Sequence, residues 1–188
     1  MPPTLIVEPA TVDLSHVVAD REAIRRVIPQ RYEMEQLTAI VLLDVEQHLV
    51  AGYKDVGADE FWVRGHLPDY PLLPGVLICE AAAQLCSYYI VSTGLLQGDF
   101  VGFGRLENVR FRSPVRPGDR LLLIGKSTRI NRRQTIFNVQ GFVGTVSSVT
   151  ATLGGTAASS SATASLTIPT NEPSVVSASA TFTLLVDH

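Results

Sequence analysis

Gly65-His66-Leu67-Pro68-Asp69-Tyr70-Pro71-Leu72-Leu73-Pro74-Gly75-Val76-Leu77-Ile78-Cys79-Glu80-Ala81-Ala82-Ala83-Gln84 joins a proline-rich loop to a long helical stretch. Pro68, Pro71 and Pro74 each lock φ and push the preceding residue out of the helical region. The spacing therefore predicts a stiff, extended loop from His66 to Pro74 and a helix that begins only after it. From Val76 to Val91 there is neither Pro nor Gly, and apolar residues lie on every side rather than in one stripe. Such a helix is buried. Interrupted by Glu80 and Gln84, it falls short of the roughly 20 apolar residues of a membrane span and is predicted to thread a soluble core.

A carboxylate on that helix must be paired, protonated or turned to a cavity, because an unpaired buried charge costs roughly several kcal/mol. Gln84, at i+4, shares a helix face with Glu80. Taken singly, each polar residue has an ordinary reading: His66 as a loop histidine bonded to backbone, Glu80 as a carboxylate reaching an arginine or the helix end. The joint frame Gly-His-x-Pro-x-x-Pro-x-x-Pro-Gly points instead to a site.

That frame resembles the β-hydroxyacyl-[acyl-carrier-protein] dehydratases of the FabZ type, whose signature reads Gly-His-Phe-Pro-x-x-Pro-x-x-Pro-Gly-Val-Leu-x-x-Glu-Ala-x-Ala-Gln. Every fixed position is met except the Phe, which is Leu67. Glu80 favours the FabZ branch over the FabA type, which usually has Asp there. The resemblance implies a hotdog fold of class α+β, an antiparallel sheet wrapped around one long helix. It further implies His66 and Glu80 as the catalytic pair, and Gln84 as the residue that orients the glutamate. Gly75, Val76, Gln84 and Leu67 are expected to contact substrate.

The bulk properties narrow the alternatives. The chain of 188 residues is 46% apolar, enough for one sizeable core with an extension. A net charge of -3 and the lack of a basic tract argue against nucleic-acid binding. Cys79 and Cys86 lie seven apart on one predicted helix, about 10 Å in rise, too far to bridge. The histidines are scattered, with no Cys-x-x-Cys or His-Glu-x-x-His spacing, so neither a metal nor a cofactor is expected. The N-terminus has no basic region before its short apolar run, so the expected location is cytoplasmic, without membrane insertion.

In chain order, residues 1–19 read as an N-terminal arm, 20–153 as the hotdog domain and 154–188 as a low-complexity tail. Asp20 is a good N-cap for a short helix over Arg21 to Ile28, closed by Pro29. Pro29-Gln30-Arg31-Tyr32 resembles the family's Leu-Pro-His-Arg-Tyr entry motif. Gln30 replaces the His, and Glu33-Met34-Glu35 departs from Pro-Phe-Leu; this departure is expected to leave the catalytic pair untouched. Thr38 to Val45 and His48 to Val56 read as a hairpin. Tyr53-Lys54-Asp55-Val56 through Glu60-Phe61-Trp62 resembles the family's approach to the histidine loop, with Trp62 read as core packing.

After the helix, Ser92-Thr93-Gly94 is a glycine cap. Phe100 to Gly104 resembles the family's Phe-Val-Gly strand. Over Leu106 to Arg112, Val109 and Phe111 alternate with Asn108, Arg110 and Arg112, giving one wet, basic face. Pro114-Val115-Arg116-Pro117-Gly118-Asp119 matches the family's Pro-Val-x-Pro-Gly-Asp turn. Strands follow over Arg120 to Arg129 and Gln134 to Val143, and Thr145 to Leu153 reads as a last strand. The resemblance covers about residues 20 to 143 and then fades. The Ala- and Ser-rich run 157–165 reads as a flexible linker, and Ala180 to Val186 as a sticky end or an added edge strand.

Dehydrating an (R)-β-hydroxyacyl thioester needs a base, an acid and a sink for enolate-like charge. An imidazole, with an ordinary pKa near ~6.5, is a suitable base. A carboxyl group in apolar surroundings holds a proton to donate. The N–H groups of Gly75 and Val76 sit at the positive end of the helix. The family resemblance implies an acyl carrier protein as partner and a homodimer or a trimer of dimers, with the histidine of one subunit facing the glutamate of the other. Arg110, Arg112 and Arg116 are candidates for a carrier-protein patch, or a solvated strand face. A hotdog acyl-thioesterase and a non-catalytic acyl-thioester-binding subunit are the rival functions.

Overall fold

The computed structural model describes residues 4–96, 98, 100–131, 133–146, 166–167 and 178–187. The expected linker over 157–165 lies outside the described residues, as does 147–153 of the expected last strand. Helix α1 (Arg21–Arg25) starts where Asp20 accepts the Ala23 N–H at 2.8 Å. It is shorter than the sequence predicts, because turns, not helix, carry the chain from there to Pro29. Strands β1 (Ala39–Asp44) and β2 (Leu49–Asp55) form the expected hairpin.

Helix α2 (Gly75–Thr93) ends at Gly94, whose φ of 62° is the left-handed cap that glycine adopts without cost. Leu85, Cys86, Tyr89 and Ile90 are fully buried along it, as a helix apolar on all sides requires. At 19 residues α2 is long and apolar enough to cross a membrane, contrary to the expectation from its polar interruptions. However, 67% of its most apolar window is buried inside the fold.

Strands β3 (Phe100–Phe111), β4 (Asp119–Ile130), β5 (Gln134–Val146), β6 (Leu166–Thr167) and β7 (Ala178–Asp187) complete an antiparallel sheet. Its order is β1-β2-β4-β5-β7-β3, with β6 paired to β5. The residues Ala180 to Val186 are therefore not an edge strand. β7 lies between β5 and β3, with Phe182 and Leu184 buried on its inner face, and β3 becomes the edge. Nothing in the local composition of β7 signals this: its apolar face is decided by distant upstream pairing partners, such as Phe137 and Leu106 opposite Phe182.

Two cores flank the sheet. One fills the space between α2 and the inner face, and includes Leu85, Leu121, Phe137 and Phe182. The other lies on the outer face, where the N-terminal arm packs Leu14, with Leu5, Ile6 and Val7 beside it, over Val41, Leu122 and Phe142. Hydrogen bonds hold the arm to β5: Gln140 accepts from the Ile6 N–H at 2.9 Å and donates to the Thr4 carbonyl at 2.8 Å. Covering on both faces explains why β2 is buried almost throughout.

Candidate active site

His66 is held from both sides. Behind it, Lys54 at the end of β2 is 5% exposed and pairs with Glu60 at 2.9 Å, a burial tolerable only with such a partner. The same Glu60 oxygen accepts the Trp62 Nε1–H at 2.8 Å, and its other oxygen accepts the Gly57 N–H at 3.0 Å. Trp62 is core, as its type predicts, but its carbonyl also receives the His66 N–H at 2.7 Å. Sequence reading missed Lys54 and Glu60 as supports; the signal was a lysine inside an otherwise apolar strand.

Ahead of His66 the loop is not extended throughout. Leu67 adopts a left-handed φ of 56°, and the Tyr70 N–H closes a turn on its carbonyl at 2.8 Å. Pro68 sits second in that turn, a place that suits its fixed φ as well as an extended chain does. The turn brings the Leu72 carbonyl to 2.7 Å from His66 Nδ1. A carbonyl only accepts, so Nδ1 carries the hydrogen and, in the neutral imidazole, Nε2 keeps its lone pair. The ring is half-buried.

Glu80 lies on the second turn of α2 and is half-buried, not enclosed as the apolar helix predicts. Gln84, 1% exposed, donates from Nε2 to Glu80 Oε1 at 2.8 Å, the pairing expected from their i, i+4 spacing. The same Nε2 donates to the Met34 carbonyl at 2.6 Å, and Gln84 Oε1 accepts the Gln36 N–H at 3.0 Å. The entry segment is therefore one side chain away from Glu80, through main-chain atoms of Met34 and Gln36. Among the described residues no hydrogen bond joins His66 to Glu80 within the chain.

The first N–H groups of α2 have no partner within a helix, and Gly75 and Val76 present them beside the loop. Val76 is 76% exposed. The Phe111 ring rests on Gly75 so closely that a Cβ there would lie 2.7 Å from it. Gly75 and Phe111 line a cleft of about 330 Å³ with Leu72, Leu73, Ile78 and Ser113. On the other side of Phe111 a water-sized apolar cavity of about 10 Å³ is walled by Ile78, Ala82, Val109, Ala178 and Phe182. Leu67 is half exposed. Arg110 is exposed on β3 and Arg112 just beyond its end, and Arg116 stacks over Tyr70 of the histidine loop, 4.7 Å from the ring centroid, donating to its hydroxyl.

The model of the FabA-like domain matches residues 28–151. A 3-hydroxyacyl-[acyl-carrier-protein] dehydratase FabZ of Bacillus cereus is 37% identical over 140 residues, 72% of this chain and 96% of that protein. The chain belongs to the FabA-like family. A FabZ of Bacillus thuringiensis is 36% identical over 137 residues, 71% of this chain and 94% of its own. Among solved structures, the dehydratase heterocomplex ApeI:P from Xenorhabdus doucetiae is similar with a TM-score of 0.61 at 13% identity, covering 88% of this chain and 91% of that one. That likeness bears on the fold, and it is the hotdog fold. The family match stops short of β7, so the strand that completes the sheet between β5 and β3 lies beyond it.

Proposed function

We propose that this member of the FabA-like family removes water from (R)-β-hydroxyacyl thioesters carried on acyl carrier protein, giving trans-2-enoyl thioesters for fatty-acid synthesis in the cytoplasm. The observation that carries the reading is that His66 is bonded through Nδ1, with Nε2 left as a lone-pair acceptor in the neutral ring, while Glu80 is held by Gln84 on the helix that follows the same loop. His66 Nε2 takes the α-proton. The electron pair forms the α,β double bond as the β-carbon–oxygen bond breaks, and Glu80 gives its proton to the departing hydroxyl, which leaves as water. Charge that builds on the thioester oxygen is met by the N–H groups of Gly75 and Val76; a single such donor is typically worth about 2.7–4 kcal/mol. The cleft beside Phe111 admits the acyl arm.

The active unit is a homodimer, alone or in a trimer of dimers, with His66 of one subunit facing Glu80 of the other. Supporting this are the edge position of β3, with Phe100, Phe103 and Phe111 exposed along it, and the exposed Val76 and Leu67 at the start of α2 and in the histidine loop, apolar side chains that a second copy would cover. Arg110, Arg112 and Arg116 steer the acidic carrier protein toward the cleft mouth. Incubation with a β-hydroxyacyl thioester, following enoyl absorbance and free thiol together, tests the reading. Enoyl product without thiol release is expected; thiol release would make the protein a hydrolase, and neither signal would make it a binding subunit.

A further inference from the structure

The Gln84 amide is fixed in direction as well as in place. Nε2 donates to two acceptors, Met34 O and Glu80 Oε1, while Oε1 accepts from the Gln36 N–H. Turning the amide over would set an oxygen against two acceptors and an NH₂ against a donor, in a site 1% exposed where unmet polar groups are costly. The direction is thus dictated by the main chain of residues 34–36, and Glu80 Oε1 always receives an N–H.

That main chain is pinned by a side-chain fork. Arg25 Nε donates to Glu35 Oε1 at 2.7 Å and Nη2 to Oε2 at 2.8 Å, with the Glu35 side chain only 11% exposed. A planar bidentate pair of this kind fixes geometry as well as charge. Arg31 ties the same stretch to the end of α1, its guanidinium donating to the carbonyls of Ile28, Gln30 and Arg25 at 2.6–2.7 Å. Glu35 stands where the family pattern has an apolar residue, so the fork belongs to this chain's own departure in the entry segment.

We propose that the Arg25–Glu35 pair is a positioning device for the acid of the reaction. Acting through Met34, Gln36 and Gln84, it commits Glu80 Oε1 to accepting a hydrogen bond and leaves Oε2 as the oxygen that carries the transferable proton. The inference rests on the assignment of Glu80 as the acid. Arg25 and Glu35 touch neither substrate nor reacting atoms; they set where the acid points.

A double-mutant cycle in the full-length protein tests it. Glu35→Gln should lower kcat by about 10-fold with KM little changed, as expected for misplacement of a reacting group. Added to Gln84→Ala, Glu35→Gln should cost nothing further, because the path from the fork to Glu80 is already cut. Exchanging the partners in Arg25→Glu/Glu35→Arg should restore most of the rate. In the ¹⁵N-edited spectrum, the Gln84 side-chain amide should be protected from exchange in the wild type and lose that protection in Glu35→Gln. Additive losses in the cycle, or a Gln84 amide signal indifferent to Glu35→Gln, would overturn the proposal. A wild-type protein that forms no enoyl product would remove the activity assigned above, while the amide signal would still decide whether the fork controls Gln84.

Discussion

At the scale of single residues, the proposed site consists of two candidate reactive groups and the bonds that orient them. His66 Nδ1 is occupied by the Leu72 carbonyl and Glu80 Oε1 by Gln84, so each is left one free atom for chemistry. His66→Ala and Glu80→Gln should each lower the dehydration rate by about 10²–10⁴-fold, the usual weight of a general acid or base, with the thermal midpoint little moved. A pH series checks the Arg25–Glu35 fork by another route. The Arg25 guanidinium bonded to Glu35, with Arg21 and Arg31 nearby, holds the Glu35 carboxyl below its ordinary value of 4.5. A depressed folded value contributes stability that is present above the ordinary value and is lost as the pH falls through the folded one. The urea midpoint of the wild type should therefore exceed that of Glu35→Gln at neutral pH, and the gap should close under acid. A gap independent of pH would show that the fork stores no such linkage.

The Glu80–Gln84 pairing and the start of α2 at Gly75, behind the His66 loop, were legible in the sequence because chemistry and spacing coincide within one short stretch. The supports were not. Lys54, Glu60, Met34 and Gln36 reach the site through contacts 6–50 residues away, and in two cases through main-chain atoms, which any side chain would supply.

At the scale of elements, α2 was readable from its uniform apolarity and its proline and glycine boundaries, and the loop before it was misread in part. Proline fixes φ without deciding ψ, so Pro68 serves the Leu67–Tyr70 turn as readily as an extended chain. Gly94 separates conformational from steric cost: its φ is 62° and an added Cβ meets nothing within 4 Å. Gly94→Ala should destabilise the fold by about 1 kcal/mol through the left-handed backbone alone, readable in a denaturant titration. Gly75→Ala should behave differently, since its Cβ would press on the Phe111 ring at 2.7 Å. With Phe111 half exposed and able to swing away, the expected result is a folded protein with reduced kcat/KM rather than a large loss of stability.

At the scale of the whole molecule, the C-terminal segment was the least legible part. A low-complexity run precedes it, and pairing with two distant strands, not its own pattern, makes β7 an interior strand. Ending the chain at Gly154 should leave β3 and β5 without a shared neighbour and remove the buried Phe182 and Leu184, each worth roughly 1.5–3 kcal/mol of apolar burial. Such a truncation should be insoluble or unfolded by circular dichroism; a folded, active 154-residue chain would contradict that placement of β7.

The proposed function requires two copies to share each site. Subunits carrying His66→Ala and Glu80→Gln, separately inactive, can be mixed under exchange, with mixed dimers verified by two affinity tags. If the imidazole of one subunit works with the carboxyl group of the other, each mixed dimer regains one intact site, and the population should recover about a quarter of wild-type enoyl formation. Verified mixed dimers that remain inactive would contradict the shared site.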